Sequence, residues 1–330
     1  MTEKDLHALG IWRIPVPVPF PQAGGPVNVY LLEEVGGGLC LFDTGLGSPE
    51  AQGALENGFR RLGRRFDEVR RIVVSHGHVD HYGNAQAIAE RAGGAPVFAH
   101  AADIGKIAAS GQRWRDRMPQ YGAHLLKLGV PPEVLAVLAT IGESHLLARR
   151  VREVRALGEG ERLHFRHFDA DVLHMPGHTP GLLCLWDPAH GVLLADDHLL
   201  EKISPNPLIE LGPEGEDGFF RPLVAYLASI ARVRELPVDL VLPGHGPPFG
   251  RHREVIDALL GFYGKRRERI REMLADAPRT AWEVTQGLFP HARPGDAFLA
   301  VSEAIANLEV MEAEGEVVRE QDDGAYRFRL

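Results

Sequence analysis

The ten residues SHGHVDHYGN, from Ser75 to Asn84, place three histidines and one aspartate within six positions. They follow the apolar run Ile72-Val73-Val74, which predicts a buried strand that ends at the first histidine. His76 and His78 are two positions apart, so in extended backbone their side chains project to the same side. A hydrophobic core gains nothing from so many imidazoles, whereas imidazole and carboxylate groups are common metal ligands. The motif therefore predicts a metal site at the end of a strand.

Four further motifs place a histidine or an aspartate on a loop at the end of a predicted strand. His178 lies in MPGHTPG, Asp197 ends GVLLADD, and His245 lies in LPGHGPP. Asp43 ends the strand in LFDTG, and we expect it to orient a ligand through a hydrogen bond. Functional residues of α/β folds gather on loops at one edge of a sheet, so these side chains are expected to meet SHGHVDHYGN there.

Length and composition restrict the class of protein. A chain of 330 residues can form one large domain and a small one. The net charge of −9 argues against a general affinity for nucleic acid or anionic membranes. No apolar run approaches the roughly 18 residues of a membrane span, and the N-terminus lacks signal-peptide features. Cys40 and Cys184 lie in strand-like runs and are predicted to be buried, reduced thiols, so a cytoplasmic location is predicted.

Strand-like and helical runs alternate along most of the chain, which predicts a mixed α/β layer fold. The segment PEGEDGFFRPLVAYLASIARVREL is predicted as a helix. Residues 101–150 are predicted to form helices that are interrupted at Pro119 and at Pro131-Pro132. This segment contains 7 basic and 4 acidic residues. It forms either a packed helical insertion or a cap over a site for anionic substrates. The candidate cap residues are Arg113, Trp114, Arg115, Arg117 and Tyr121.

The last 80 residues, from 251 to 330, have a different pattern. A long helix is predicted from Arg251 to Ala275, a second from about Asp296 to Glu314, and then a hairpin that turns at Asp323-Gly324. This order suggests a winged-helix-like module. Its 12 basic and 15 acidic residues favour packing or dimerisation over binding to duplex DNA.

Taken in order, HxHxDH, the PGHTPG histidine, the strand-end aspartate and PGHG resemble the motifs of the metallo-β-lactamase superfamily of dinuclear hydrolases, over residues 11 to 250. The resemblance implies an αβ/βα sandwich in residues 1–250, with the site at one edge of its two sheets. It implies that Asp197 bridges two metal ions, although Asp196 stands where the family usually has glycine. The implied ligands are His76, His78 and His178 for the first metal, and Asp80, His81 and His245 for the second.

The implied chemistry is hydrolysis by a hydroxide that bridges two divalent cations. Imidazole and carboxylate ligands suit zinc, and iron or manganese fit the same set. Asp80 and His198 are the candidate catalytic residues, His198 because it adjoins the bridging aspartate. The simpler interpretation of His174, His198 and His252 is that they are ordinary surface or packing residues, with His198 closest to an exception.

The sequence leaves the substrate open. An ester, a thioester or a similar small anionic substrate fits the basic insertion. A single-strand endoribonuclease is an alternative, because the C-terminal module with its run YGKRRERIRE resembles that of lactamase-like endoribonucleases. A persulfide dioxygenase with one iron uses a similar ligand set. The non-enzymatic alternative is a winged-helix regulator. RNA remains a possible partner and a homo-oligomer a possible assembly, whereas membranes are not expected partners.

Overall fold

The computed structural model describes residues 3–19, 23–109, 111–135, 147–211 and 218–330, and for residues 3–4, 111–115 and 294 it describes the backbone alone. The N-terminal half forms a six-stranded sheet in the order β1-β2-β3-β4-β5-β6. Its strands are β1 (Ile11–Val16), β2 (Val27–Glu33), β3 (Leu39–Phe42), β4 (Val69–Val73), β5 (Val97–Ala99) and β6 (Val154–Ala156). From β3 to β6 the neighbouring strands are parallel, so the carboxyl ends of β3 and β4 lie side by side.

The second sheet has five strands in the order β13-β10-β9-β8-β7. Strands β7 to β13 are Arg162–His164, Asp169–His174, Leu183–Asp187, Val192–Asp196, Glu210–Leu211, Phe219–Phe220 and Leu240–Pro243. The short strands β11 and β12 pair with each other, outside this sheet, and are called the β11–β12 ribbon below. β10 and β13 are parallel, so their carboxyl ends also meet at one edge.

The described part of the chain also forms helices, some of which cover the outer faces of the two sheets. They are α1 (Glu3–Ala8), α2 (Pro49–Arg61), α3 (Val79–Tyr82), α4 (Ala85–Arg91), α5 (Ala101–Ala109), α6 (Gly111–Lys127), α7 (Pro222–Glu235), α8 (His252–Asp276), α9 (Ala281–Leu288) and α10 (Ala297–Ala313). Buried residues of α2 and α4 pack on the first sheet, and those of α7 pack on the second. The described part of the chain contains no helix long and apolar enough to cross a bilayer.

The alternation of side chains along each strand separates the apolar layers. In β9, Leu183 and Leu185 face the first sheet, whereas Cys184 and Trp186 face the outer helices. Cys40 lies in the layer between the two sheets, and both cysteines are buried free thiols, as predicted. The layers therefore follow the order helix, sheet, sheet, helix, which confirms the predicted αβ/βα sandwich.

The C-terminal residues add a domain of helices and a small sheet. Helices α8, α9 and α10 precede the antiparallel hairpin of β14 (Val318–Asp322) and β15 (Ala325–Arg329). The hairpin turns at Asp323 and Gly324 with φ of 47° and 83°, which confirms the predicted turn. A capping box between Thr280 and Glu283 starts α9.

Helix α6 of the insertion shares one apolar core with this C-terminal domain. Leu125 and Leu128 from the insertion are buried in one cluster with Ile270, Val301 and Phe328. The amide of Trp282 also donates a hydrogen bond to the carbonyl of Leu128 at 3.0 Å. Helix α6 and the residues directly after it therefore pack against the C-terminal domain.

Three expectations for this region were wrong. Helix α6 continues through Pro119, with Tyr121 and Leu125 of its second half packed in the core, although one backbone hydrogen bond is lost. The helix expected to include Phe219 and Phe220 begins only at Pro222, since these phenylalanines form β12 and proline suits the first helical position. Tyr121 is buried against Phe219, so it is a packing residue rather than a residue that faces substrate.

The cap itself stays a prediction. The side chains of Arg113, Trp114 and Arg115 lie outside the described residues, as does the segment 136–146 of the predicted insertion helices. Arg117 is described and half-buried.

Candidate metal centre

The predicted ligands come from the carboxyl ends of strands in both sheets. Two follow β4, two lie in α3, and the other three follow β8, β10 and β13. In chain order they are His76, His78, Asp80, His81, His178, Asp197 and His245. All seven are largely buried, and the parallel pairs β3–β4 and β10–β13 bring their strand ends to the same place.

An irregularity in β10 presents two successive aspartates to the site. The register between β10 and β13 shifts between Leu194 and Asp196, and Asp196 has a φ of 49°. Such a bulge turns the chain out of the sheet and re-aims the side chains that follow. Asp196 and Asp197 consequently approach the histidines from different sides.

The first predicted ligand group is assembled. The ligating atoms of His76, His78 and His178 all lie within 4.8 Å of one another. Nε2 of His76 is 3.0 Å from Nδ1 of His78, so these two nitrogens point at nearly the same place. Three convergent imidazole nitrogens are a common arrangement around zinc.

The second predicted group is assembled as well. The ligating atoms of Asp80, His81 and His245 also lie within 4.8 Å of one another. Oδ2 of Asp80 is 3.4 Å from Nε2 of His245 and 3.8 Å from Nε2 of His81. Two imidazoles and a carboxylate form a second potential cation site beside the first.

The carboxylate of Asp197 lies between the two groups. Its Oδ2 is 3.4 Å from Nε2 of His178 in the first group and 3.4 Å from Nε2 of His81 in the second. Its Oδ1 is 3.7 Å from Nε2 of His245. One carboxylate that reaches both groups has the placement expected of a bridging ligand.

The donor atoms fit divalent cations. Among the described residues, several of these atoms are buried without a hydrogen-bond partner, although buried polar atoms are normally paired. They are Nε2 of His81, both ring nitrogens of His178 and Oδ1 of Asp197. A cation in each group would satisfy the lone pairs that converge there.

Two further aspartates contact the opposite side of the imidazoles. Asp43 accepts a hydrogen bond from the Ser75 amide at 2.8 Å, and its other oxygen is 3.1 Å from Nδ1 of His81. Asp43 thus makes the predicted contact with a candidate ligand. Asp196 lies 3.2 Å from Nδ1 of His76 and 3.3 Å from Nδ1 of His81. Because Asp196 faces Nδ1 while Asp197 faces Nε2, the geometry favours Asp197 as the bridge.

The carboxylates and imidazoles shift one another's pKa values. Burial lowers the pKa of His245, but Asp197 and Asp80 outweigh it and raise that pKa to about 9. Burial opposes ionisation of Asp80, yet His81 and His245 hold its pKa below the usual range. Burial and the charge of Asp196 raise the pKa of Asp43 to about 8. A cation that binds this cluster therefore displaces protons.

His198, the second candidate catalytic residue, is fully buried beside the site. Its ring contacts Tyr226 with 5.2 Å between centroids, and burial, with His178, lowers its pKa to about 3. Neither ring nitrogen has a hydrogen-bond partner in the described part of the chain. Its catalytic role, like that of Asp80, stays a prediction. His174 and His252 have packing roles, as expected: His174 stacks on His100, and His252 is buried in the first turn of α8.

The role of Asp103, a fully buried residue of α5, was not predicted from the sequence. Its Oδ2 accepts hydrogen bonds from the Gly77 amide at 2.8 Å and from the Thr179 hydroxyl at 2.7 Å. Its Oδ1 accepts one from the Gly181 amide at 3.2 Å. Asp103 therefore ties the loop of His76 and His78 to the loop of His178. Nothing in the local sequence distinguishes it from an ordinary helical aspartate.

Asn28 and Gly244 were also missed, and both support the loop of His245. The Asn28 amide donates to the carbonyls of Pro243 and Gly246, each at 2.8 Å. A Cβ atom on Gly244 would lie 2.2 Å from Oδ1 of both Asp196 and Asp197. Only glycine leaves room there for the two carboxylates.

A two-sheet αβ/βα sandwich with clustered histidines and aspartates at one edge is the architecture of a metal-dependent hydrolase. Residues 23–245 match the model of the metallo-beta-lactamase superfamily, and residues 268–330 match the metallo-beta-lactamase-like C-terminal domain. The chain belongs to the metallo-beta-lactamase superfamily and is a metallo-hydrolase of that superfamily.

The relatives agree with this assignment. The probable metallo-hydrolase YqjP of Bacillus subtilis is 30% identical over 315 residues, which cover 95% of this chain and 94% of YqjP. The acyl-coenzyme A thioesterase MBLAC2 of Gallus gallus is 27% identical over 194 residues, 55% of this chain and 58% of that protein. Among solved structures, the metallo-beta-lactamase family protein TTHA1429 of Thermus thermophilus has a TM-score of 0.79 and 32% identity, over 97% of this chain and 98% of that one.

Proposed function

We propose that the protein is a dinuclear metal-dependent hydrolase that cleaves an ester or thioester in a small anionic substrate. The observation that carries the proposal is the position of Asp197, whose carboxylate lies 3.4 Å from a histidine of each ligand group. Of the metals that fit the donors, zinc is favoured, with iron or manganese as alternatives.

Each residue then has a defined task. His76, His78 and His178 would hold the first cation, Asp80, His81 and His245 the second, and Asp197 both. Such cations would supply a water molecule of lowered pKa and would polarise the carbonyl under attack. Asp43 and Asp196 orient imidazoles through their Nδ1 atoms, which fixes the tautomer that leaves Nε2 free for the metal.

The substrate class is supported by charge and by similarity. Residues 101–150 carry 7 basic and 4 acidic residues, an excess of positive charge in a protein of net charge −9. The name of the chicken relative, an acyl-coenzyme A thioesterase, favours a thioester among the candidate substrates. The intact set of candidate ligands and the hydrolase class argue against the alternative of a non-enzymatic regulator. The order of elements from α8 to β15 still suits a winged-helix-like module.

The test combines elemental analysis with a hydrolysis screen over thioesters, lactones, phosphodiesters and short RNA. We expect two metal ions per chain, and hydrolysis of a thioester or ester that is lost in His78→Ala. The matched control is His291→Ala, because His291 is exposed and far along the chain from the ligand motifs. One bound iron per chain would favour the persulfide dioxygenase instead, and cleavage of RNA alone would favour the endoribonuclease. Protein that binds no metal would overturn the proposal.

A further inference from the structure

His78 faces the first ligand group through Nδ1, since this atom lies 3.0 Å from Nε2 of His76. A neutral imidazole that binds a metal through one nitrogen carries its proton on the other. In His78 that other nitrogen, Nε2, is buried and has no hydrogen-bond partner among the described residues. A ligand histidine normally donates this hydrogen to a carboxylate, a carbonyl or water, so the ring of His78 lacks its usual support.

Glu210 is placed to give that support. Its Oε1 lies 3.4 Å from Nε2 of His78, and its side chain is buried. Lys106 of α5 contacts the same carboxylate oxygen and compensates its charge. We propose that Glu210, held by Lys106, is a positioning residue that fixes the ring of His78 at the first metal position. The inference rests on the proposed metal-binding role of His78.

The backbone on each side of Glu210 is anchored by a different added segment. The amide of Ile209 donates to the hydroxyl oxygen of Ser302 in α10 at 3.1 Å. The amide of Leu211 donates to the hydroxyl oxygen of Tyr121 in α6 at 3.2 Å. Both anchors lie within the core that the insertion shares with the C-terminal domain. The β11–β12 ribbon therefore connects the C-terminal domain to the metal centre.

This connection gives the C-terminal domain a specific task. It holds the ribbon at the distance from which Glu210 reaches His78. A disturbance of either anchor should then change metal binding at the first position without any change to a ligand. The second position, formed by Asp80, His81 and His245, has no contact with Glu210 among the described ion pairs.

The test measures zinc affinity at both positions by competition with a chromophoric chelator, with cobalt absorption spectra to report the ligand geometry. In Glu210→Ala we expect the first position to bind zinc about 10–100-fold more weakly, with the second position unchanged. Lys106→Met and Ser302→Ala should weaken the same position by smaller factors. Glu34→Ala is the matched control, since Glu34 also belongs to a largely buried ion pair, with Arg71.

Circular dichroism and thermal unfolding of the metal-free proteins show whether each variant folds. Should Glu210→Ala fail to fold, Glu210→Met and Lys106→Met carry the test, because both nearly retain the size of the side chain and Glu210→Met removes the acceptor oxygens. Wild-type affinity at the first position in all folded Glu210 and Lys106 variants would overturn the inference. If the wild-type protein itself binds no metal, the proposed function fails instead, so the two failures are distinguishable.

Discussion

Oδ2 of Asp196 lies 3.2 Å from Nδ1 of His76, and the other oxygen of this carboxylate lies 3.3 Å from Nδ1 of His81. One buried side chain therefore contacts an imidazole from each ligand group. An Asp196→Asn variant keeps the shape and tolerates the φ of 49°, but its amide has only one acceptor oxygen. We expect zinc affinity to fall about 10–100-fold, measured by chelator competition.

The control for this variant is Asp187→Asn. Asp187 is fully buried and bonded to His190, but it ends β9 at the opposite edge of the second sheet. Its replacement should lower stability and leave zinc affinity unchanged. Equal losses of zinc affinity in both variants would show that Asp196 acts only through the stability of the fold.

A methyl group at Gly244 should disturb both aspartates after β10. The added Cβ atom would lie 2.2 Å from Oδ1 of Asp196 and of Asp197, too close for either carboxylate to stay in place. We expect Gly244→Ala to lose at least about 10-fold in metal affinity and to lose hydrolysis with it. In the control Gly250→Ala the new atom meets only the carbonyl of Asp239, at 3.4 Å. Normal metal content in purified Gly244→Ala would contradict this account of the loop.

Removal of Asp103 should separate the loops that carry the first ligand group. In Asp103→Ala the amides of Gly77 and Gly181 and the hydroxyl of Thr179 lose a buried, charged acceptor. Each bond to a charged group contributes about 1.5–3 kcal/mol, and neighbouring bonds are not fully additive, so we expect the free energy of unfolding to fall by at least about 3 kcal/mol. Urea unfolding of the metal-free protein measures this change. A loss of stability below about 1 kcal/mol would show that Asp103 does not hold the two loops together.

Glu309 of α10 should make stability depend on pH. Burial raises its pKa from 4.5 to about 7, with Arg221 and Arg319 opposing the shift and Glu312 adding to it. Between these two values the folded protein binds a proton that the unfolded chain releases, so the free energy of unfolding falls as pH rises through this window. Glu309→Gln removes this loss and should be more stable than the wild type at pH 8 by up to about 3 kcal/mol.

Urea unfolding at pH 4.5 and pH 8 checks this prediction. The gain in Glu309→Gln should be present at pH 8 and absent at pH 4.5, where the wild-type carboxyl group is already protonated in the folded protein. Glu314→Gln is the control, because Glu314 is an exposed residue that follows the same helix. A gain of equal size at both pH values would mean that hydrogen bonding, and not ionisation of Glu309, causes the difference in stability between Glu309→Gln and the wild type.

The clustering of the seven candidate ligands could be predicted because their motifs follow strands that end at one edge, and the αβ/βα layers because these ordered motifs resemble those of the superfamily. The hydrogen bond between Asp43 and a ligand could be predicted on the same grounds, since Asp43 also ends a strand. The contacts of Asp103, Glu210 and Asn28 could not be predicted. The partners of each residue are far away in the sequence and come close only in the folded chain. The helix through Pro119 was missed for a related reason: packing against distant residues outweighed a local preference.

The core that α6 shares with α8, α9, α10 and the terminal hairpin has a consequence for how this protein can be shortened. A chain cut after residue 250 would leave Leu125, Leu128 and Val130 exposed to water, and a chain without α6 would uncover Val301 and Phe328. We expect either truncation to aggregate, so neither segment can be removed alone from a soluble preparation of this protein.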